Sequence, residues 1–276
     1  MTDDRLRRRG AEANGVDFYY EIHGEGQPLL LLEGLGYGSW MWYKQVKELS
    51  KYFKVIIIDN RGVGYTDKPD EEYAIEMFAD DAATVLLKLG IKKAHILGVS
   101  MGGFIAQQFA VSYPEMVEKL ILCSTSFGGP NSVPIPPDTL RMMMNGEGGE
   151  TSSTNAREAV SVALHSETSD ENAAIIDWII KRKKENAQPK YAYQRQLMAG
   201  ASFNGENWTA SIKAETLILA GKGDRVVPYQ NAQMLNEKII SSRLEIIDNG
   251  GHVFFMEEAE KTNQLIIAFL TEPTEE

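Results

Sequence analysis

Short apolar runs alternate with amphipathic segments along most of the chain. Runs rich in Leu, Val and Ile predict buried strands over 29–32, 54–59, 94–99, 117–123, 214–220 and 243–247. Apolar strands that alternate with helices are typical of a parallel sheet covered on both faces. We therefore expect an α/β fold in which helices cover both faces of a mostly parallel central sheet.

Helical periodicity separates the predicted strands. The clearest apolar stripe, which Gly90 ends, consists of Ile75, Phe78, Ala82, Val85, Leu86 and Leu89. Further helices are predicted over 39–49 and from Ser100 onwards. The last predicted helix carries Phe255, Ala259, Leu265, Ile266 and Phe269.

The interval 127–211 interrupts this alternation. It opens on loop signals at 128–130 and 134–137, and helical stretches follow over 155–167, 171–185 and 190–199. We interpret the interval as a helical cap inserted into one core. Residues 1–126 and 212–276 then form the two parts of that core.

The amino-terminal segment predicts a β-hairpin, because 7–13 and 16–23 flank the turn pair Asn14-Gly15. A basic run over 5–9 lies at its start. The chain as a whole has a formal net charge of −11 at pH 7, which disfavours contact with phosphate backbones. We therefore interpret the basic run as part of a solvated strand and expect no nucleic-acid partner.

Composition and cysteine usage suggest a cellular compartment. A chain of 276 residues, of which 43% are hydrophobic, can bury one large core. Cys123 is the only cysteine, so an intramolecular disulfide is excluded and a reducing compartment fits. The charged first twenty residues lack a signal-peptide pattern, and no apolar run is long enough to span a bilayer. We expect a cytoplasmic protein without a membrane span, and the sequence leaves a homo-oligomer open.

A candidate nucleophile follows the predicted strand 94–99. Gly98-Val99-Ser100-Met101-Gly102 is a G-x-S-x-G motif between a strand and a helix, the context of a nucleophile elbow. In such a sharp turn the residues two before and two after the serine crowd together, so both positions favour glycine. Ser100 would also lie at a helix amino terminus, where N–H groups stabilise negative charge.

A serine hydroxyl needs a base, and the chain has four histidines. His23 ends a hairpin strand, and His95 lies within the strand before the motif. His165 falls in the predicted cap, where we expect it to be exposed. His252 follows the last strand in a loop with two glycines, and this makes it the best candidate base.

The base needs a carboxylate that orients it. Asp224 follows the strand 214–220 in Gly221-Lys222-Gly223-Asp224, so the chain order is Ser, Asp, His. Asp248, just before His252, is the alternative acid.

Several motifs in this order resemble the α/β-hydrolase superfamily of capped serine esterases, from about residue 26 to about residue 270. The resemblance is carried by Gly34-Leu35-Gly36, 59–64, 98–103, 221–224 and Gly251-His252. It implies an oxyanion hole formed by the backbone N–H groups of Leu35 and Met101, worth about 3 kcal/mol per donor.

The pocket is the part that the resemblance covers least. Relatives usually have His-Gly before the second oxyanion donor, whereas this chain has Glu33-Gly34. Glu33 is interpreted as a structural carboxylate with satisfied hydrogen bonds. The alternative is a group near the acyl pocket whose raised pKa tunes the pH dependence. Met142 and Trp178 are candidate pocket residues.

The predicted function is hydrolysis of a small-molecule carboxylic ester by a serine esterase. Ser100 argues against the related dehalogenases and epoxide hydrolases, which have an aspartate at this position. Enol-lactonases and carbon–carbon bond hydrolases of aromatic catabolism stay open, as does a non-catalytic ligand receptor of the same fold. No cofactor is expected, because Gly34–Gly38 matches a dinucleotide fingerprint only weakly. No metal is expected, because no H-E-x-x-H motif or Cys/His cluster occurs.

Overall fold

An eight-stranded sheet runs through the centre of the molecule in the computed structural model, which describes residues 9–146, 153–166 and 170–273. The strands are β1 (Arg9–Ala13), β2 (Val16–His23), β3 (Gln27–Leu32), β4 (Phe53–Ile58), β5 (Ala94–Val99), β6 (Val117–Cys123), β7 (Glu215–Gly221) and β8 (Ser242–Ile247). Their spatial order is β1-β2-β4-β3-β5-β6-β7-β8. Strands β3 to β8 are parallel, and the hairpin β1–β2 adds two antiparallel strands at one edge. The predicted α/β fold is confirmed.

Each face of the sheet packs against its own set of helices. Leu30 and Leu32 of β3 belong to a cluster that includes the buried faces of α2 (Ile75–Lys88), α3 (Met101–Ser112) and α8 (Gln230–Lys238). Leu29 and Leu31 belong to a second cluster with α1 (Tyr43–Leu49) and α10 (Ala259–Thr271). Successive residues of a strand point to opposite faces, which explains why this strand is apolar at every position from 29 to 32.

Three helical segments outside the interval 127–211 differ from the prediction. The segment 39–49 is a 3-10 turn (Ser39–Trp42) followed by α1, and the last helix is divided at Glu258 into α9 (Phe254–Glu257) and α10. Helix α8 is absent from the sequence-based prediction, because it is largely polar and the residues it buries are Asn231, Ala232 and Leu235.

Between β6 and β7 the described residues form four α-helices, which we call the inserted helices. They are α4 (Pro137–Gly146), α5 (Ser153–Ser161), α6 (Asp170–Glu185) and α7 (Lys190–Ser202). The predicted helices 171–185 and 190–199 correspond to α6 and α7. The helix predicted over 155–167 ends at Ser161, and residue 167 lies outside the described part. Helix α4 was not predicted; it begins at Pro137, and proline suits the first position of a helix. The division of the chain at residues 127 and 211 stays a prediction.

Within the described ranges, no helix combines the length and the apolar character needed to cross a membrane.

A carboxyl group is buried at the end of β3. Glu33 is fully buried, and its Oε1 accepts a hydrogen bond from Trp42 Nε1 at 3.3 Å, while its Oε2 has no partner. Burial, more than the nearby charge of Asp59, raises the pKa of Glu33 well above its usual range. The interpretation of Glu33 as a carboxylate with satisfied hydrogen bonds is therefore wrong. Burial favours the neutral form of this side chain instead.

This buried acid makes stability depend on pH. Because the pKa of Glu33 is higher in the folded than in the unfolded state, the folded protein holds its proton longer. The free energy of unfolding therefore falls as pH rises above the unfolded pKa, about 4.3. Glu33→Gln removes this titration. We therefore expect the melting temperature of the variant minus that of the parent to increase as the pH is raised from about 5 to about 8. Thermal melts across this range measure it. Glu245→Gln, at an exposed position, is the control, and a difference that does not grow with pH would contradict the expectation.

Candidate active site

The backbone at Ser100 is strained. This residue joins β5 to α3 with φ +56° and ψ −118°, a combination that non-glycine residues rarely adopt. A Cβ atom at Gly98 would lie 2.1 Å from the carbonyl oxygen of Gly102, and one at Gly102 would lie 2.2 Å from that of Leu32. The two glycines of the motif are therefore required by backbone contacts, as the sequence pattern predicts.

The last residue of β6 and a residue just after the strand hold this turn in place. The backbone N–H of Ser100 donates to the carbonyl oxygen of Cys123 at 2.9 Å, and Thr125 Oγ1 donates to the carbonyl oxygen of Ser100 at 2.8 Å. A Cβ atom at Gly103 would lie 2.5 Å from Cβ of Thr125, so α3 also approaches this segment closely. Hydrogen bonds to both backbone groups of Ser100 thus fix its position at the end of β5, beside the end of β6.

His252 and Asp224 form a buried pair. Nδ1 of His252 lies 2.9 Å from Oδ2 of Asp224, and the side chains are 11% and 0% exposed. Oδ1 of Asp224 accepts hydrogen bonds from the backbone N–H groups of Val226 and Val227, both at 2.8 Å. The carboxylate is thus held from both oxygens, and Nε2 is the nitrogen of His252 that remains available as a base.

The alternative acid is not part of this arrangement. Asp248 is exposed and pairs with Lys222 at 3.1 Å, and this ion pair lowers the pKa of Asp248. The geometry therefore selects Asp224 as the partner of the imidazole.

The loop that carries His252 is supported by a residue that the sequence analysis missed. Glu257 accepts hydrogen bonds from the backbone N–H groups of Gly251 at 2.8 Å and His165 at 2.7 Å. Burial raises the pKa of Glu257. On the other side, Ser124 Oγ donates to the carbonyl oxygen of His252 at 2.9 Å. Because these contacts join the end of α9 and the end of β6 to the loop, no local sequence pattern marks them.

The other histidines lie in different environments. His23 pairs with Glu21 at 2.7 Å, and burial within β5 lowers the pKa of His95 to about 4. His165 is half-buried rather than exposed, which corrects the prediction. A Cβ atom at Gly223, next to Asp224, would lie only 2.4 Å from its ring.

A cavity of about 1060 Å³ opens between the sheet edge and the inserted helices. Ser100, His252, Leu35 and Met101 all line it. Much of the remaining wall is apolar and includes Met41, Phe104, Ile135, Val160, Ile180 and Leu197. This volume is ample for a small organic ligand.

None of the three predicted pocket residues is part of the cavity wall. Glu33 is buried at the end of β3. Met142 is on an exposed face of α4 and is not part of the cavity wall. Trp178 is not part of the wall either. Its ring centroid lies 3.9 Å from that of Tyr43 and 5.4 Å from that of Trp40. Both side chains are apolar and fall in the predicted cap, but the helix faces that point to the cavity carry other residues.

Gln196 of α7 connects the inserted helices to the loop after β3, and the sequence analysis missed it as well. Its Oε1 accepts a hydrogen bond from the backbone N–H of Gly36 at 3.2 Å, and its Nε2 donates to the carbonyl oxygen of Arg61 at 2.8 Å. Gln188 Nε2 donates to the same Oε1 at 3.1 Å. The amide is fully buried, so these bonds hold the backbone directly after Leu35.

No cluster of three or more His, Cys, Asp or Glu side chains suited to a metal ion occurs among the described residues.

Comparison with known proteins places this geometry in a family. Residues 27–259 match the model of the alpha/beta hydrolase fold family. The chain is 32% identical over 243 residues to a poly(3-hydroxyalkanoate) depolymerase of Ectopseudomonas oleovorans, an alignment that covers 88% of this chain and 84% of the relative. It is 28% identical to a 2-hydroxy-6-oxo-6-phenylhexa-2,4-dienoate hydrolase of Comamonas testosteroni, with 91% and 90% covered.

A solved structure agrees over nearly the whole chain. A thermophilic esterase from Thermogutta terrifontis superposes with a TM-score of 0.81 at 26% identity, and the match covers 95% of this chain and 96% of the esterase. With the parallel sheet, the family match and these relatives in agreement, the chain belongs to the α/β-hydrolase superfamily and is a hydrolase.

Proposed function

We propose that this hydrolase cleaves carboxylic esters through an acyl-enzyme formed on Ser100. The observation that carries the proposal is the shared cavity: the strained Ser100 and the imidazole of His252, itself bound to a buried Asp224, line the same space. A nucleophile, a base and an orienting carboxylate are the three groups that acyl transfer through a serine needs.

In the proposed first step, Nε2 of His252 removes the proton of the Ser100 hydroxyl as Oγ attacks the ester carbonyl. Asp224 keeps the proton of the imidazole on Nδ1 and stabilises the imidazolium that forms. The imidazolium then gives its proton to the leaving alcohol oxygen. Water attacks the acyl-enzyme in the same way, with His252 again as the base, and releases the acid.

The negative charge of the tetrahedral intermediate would fall between Leu35 and Met101. The backbone N–H of Met101 begins α3, where the first N–H groups have no partner within the helix. A Cβ atom at Gly34 would lie 3.3 Å from Cβ of Ser100, so the backbone before Leu35 runs beside the nucleophile. These positions support the two main-chain donors implied by the family resemblance.

Removal of the nucleophile tests the mechanism. Ser100→Ala is expected to lower kcat on a p-nitrophenyl ester by roughly a million-fold, because the base and the oriented carboxylate then have nothing to activate. Mass spectrometry after incubation with a fluorophosphonate should find one adduct on Ser100 in the parent and none in the variant. Near-parental turnover in the variant would rule out the acyl-enzyme. If the fluorophosphonate does not label the parent protein, and this protein binds a small ligand tightly, the non-catalytic receptor is the better explanation.

The hydrogen bond from Gly36 to Gln196 gives a second expectation. Gln196→Met keeps the volume of the side chain but removes all three hydrogen bonds of the amide, to Gly36, Arg61 and Gln188. The loss of the acceptor for the N–H of Gly36 loosens the backbone beside Leu35. We expect kcat to fall by about ten-fold with little change in KM, which corresponds to the net cost of this one bond beside Leu35, while the other two losses lower the melting temperature. Steady-state kinetics measure the split, and a thermal melt verifies that the variant is folded. Gln264→Met, an exposed position on α10, is the matched control. An unchanged kcat would show that the contact does not support the oxyanion loop.

A panel of esters, lactones and a ring-cleavage dienoate distinguishes the possible substrate classes. Esters and lactones share the same acyl–oxygen cleavage, whereas carbon–carbon bond hydrolases release a carbanion-derived product. We expect p-nitrophenyl esters of graded acyl length to be hydrolysed, with the largest kcat/KM for chains that fill the apolar wall. Lactones assayed in parallel by acid release, and a ring-cleavage dienoate assayed by absorbance, complete the panel. Faster turnover of either of these classes would replace the ester proposal by the corresponding alternative.

A further inference from the structure

The charged side chains that line the cavity are all cationic. Lys183, Lys184 and Lys190 contribute to the wall, and no Asp or Glu is part of it within the described residues. The whole chain has 39 acidic and 28 basic residues, so a wall without acids contrasts with the negative net charge of the molecule. In a concave site a local excess of one sign of charge raises the concentration of the opposite ion.

The three lysines lie at one corner of the inserted helices, where α6 ends and α7 begins. Lys183 and Lys184 are in the last turn of α6, where the helix dipole already favours cations. Lys190 is the first residue of α7, where the dipole disfavours a cation. The N-cap residue Pro189 makes no side-chain hydrogen bond to the first turn. Helix electrostatics therefore explain the lysines of α6 but do not explain Lys190.

Ion pairs within the protein account for neither Lys184 nor Lys190. The side chains of Lys184 and Lys190 are exposed, and neither forms an ion pair with a residue in the described part of the chain. Neighbouring charged residues of α6 have other partners: Arg182 bonds to Glu185 at 3.1 Å, Lys181 lies 3.9 Å from Glu185, and Nζ of Lys183 lies 4.9 Å from the ring centroid of Tyr37. Lys184 and Lys190 are thus available to an anion that enters the cavity.

We propose that Lys184 and Lys190 bind a carboxylate carried by the substrate, at the end of the acyl chain remote from the ester carbonyl. The inference rests on the proposed function, and it narrows the substrate class to esters whose acyl part carries an acidic group. Nearby amides support such a site, because Asn186 and Gln194 line the same cavity and can donate further hydrogen bonds. The apolar side chains of the cavity wall would contact the intervening methylene groups.

A matched pair of esters tests the proposal. The p-nitrophenyl ester of hexanoic acid and the p-nitrophenyl monoester of adipic acid have acyl chains of equal length and differ in a terminal carboxylate. Lys184→Met, Lys190→Met and the double variant remove the charges while keeping an unbranched side chain. Lys181→Met is the control, because it lies on the same helix and is not part of the cavity wall.

Each single variant is expected to raise KM for the acidic ester by about two- to five-fold, and the double variant by about ten-fold, with kcat nearly unchanged. The neutral ester and the Lys181→Met protein should show parental values. Salt screens exposed charges. Raising the salt concentration from about 0.02 M to about 0.5 M should therefore raise KM of the parent for the acidic ester, and it should change KM of the double variant much less. Equal effects on both esters, or none on the acidic ester, would overturn the proposal.

Binding of adipate separates this inference from the proposed function. Calorimetry with adipate needs no turnover, so it reports on the lysines even if neither ester is hydrolysed. Adipate that binds the parent, with a Kd about ten-fold higher in the double variant, supports the lysine site. Equal Kd values in the two proteins, or no detectable binding to the parent, would overturn it.

Discussion

The strained turn at Ser100 is the constraint on which the rest of the site depends. A non-glycine residue at φ +56° costs of order 1–3 kcal/mol, so the surrounding structure has to hold it. Cys123, the last residue of the neighbouring strand, accepts a hydrogen bond from its N–H, and Thr125, two residues later, donates one to its carbonyl oxygen. The glycines on either side allow backbone to approach within distances that any Cβ atom would prevent. The serine is therefore presented at the sheet edge by main-chain contacts, which leave its side chain to the cavity.

The order of strands in the sheet explains why the other groups lie nearby. Strands β5, β6, β7 and β8 are adjacent and parallel, so their carboxyl ends meet at one edge. Ser100 follows β5, Ser124 follows β6, Asp224 follows β7 and His252 follows β8. Residues more than a hundred positions apart along the chain thus share one edge because of the topology of the sheet.

The carboxyl groups around this edge differ in the hydrogen bonds that they accept. Asp224 accepts hydrogen bonds from two backbone N–H groups and contacts the imidazole. Glu33 accepts one long hydrogen bond in a fully buried position, and burial raises its pKa. Glu257 lies between the two: burial raises its pKa, while two backbone N–H groups lower it. The one acid that supports the base is therefore the one that is best supplied with donors.

Local patterns in the sequence were sufficient for the strands and for selecting Ser100, His252 and Asp224 as candidates, with Asp248 as the alternative acid. Apolar runs, glycine spacing and chain order are short-range signals, and each reflects a constraint on the backbone or on burial. Tertiary structure alone decided that Asp224 and not Asp248 contacts the imidazole, and it alone decided the contacts of Gln196 and Glu257, the burial of Glu33 and the residues of the cavity wall. Gln196 accepts a hydrogen bond from Gly36, which is 160 positions away along the chain. Met142 and Trp178 are not part of the cavity wall, although their apolar side chains would suit a pocket. These features depend on which helix faces and loops meet in space, and a hydrogen bond or a contact of that kind has no period or spacing along the chain.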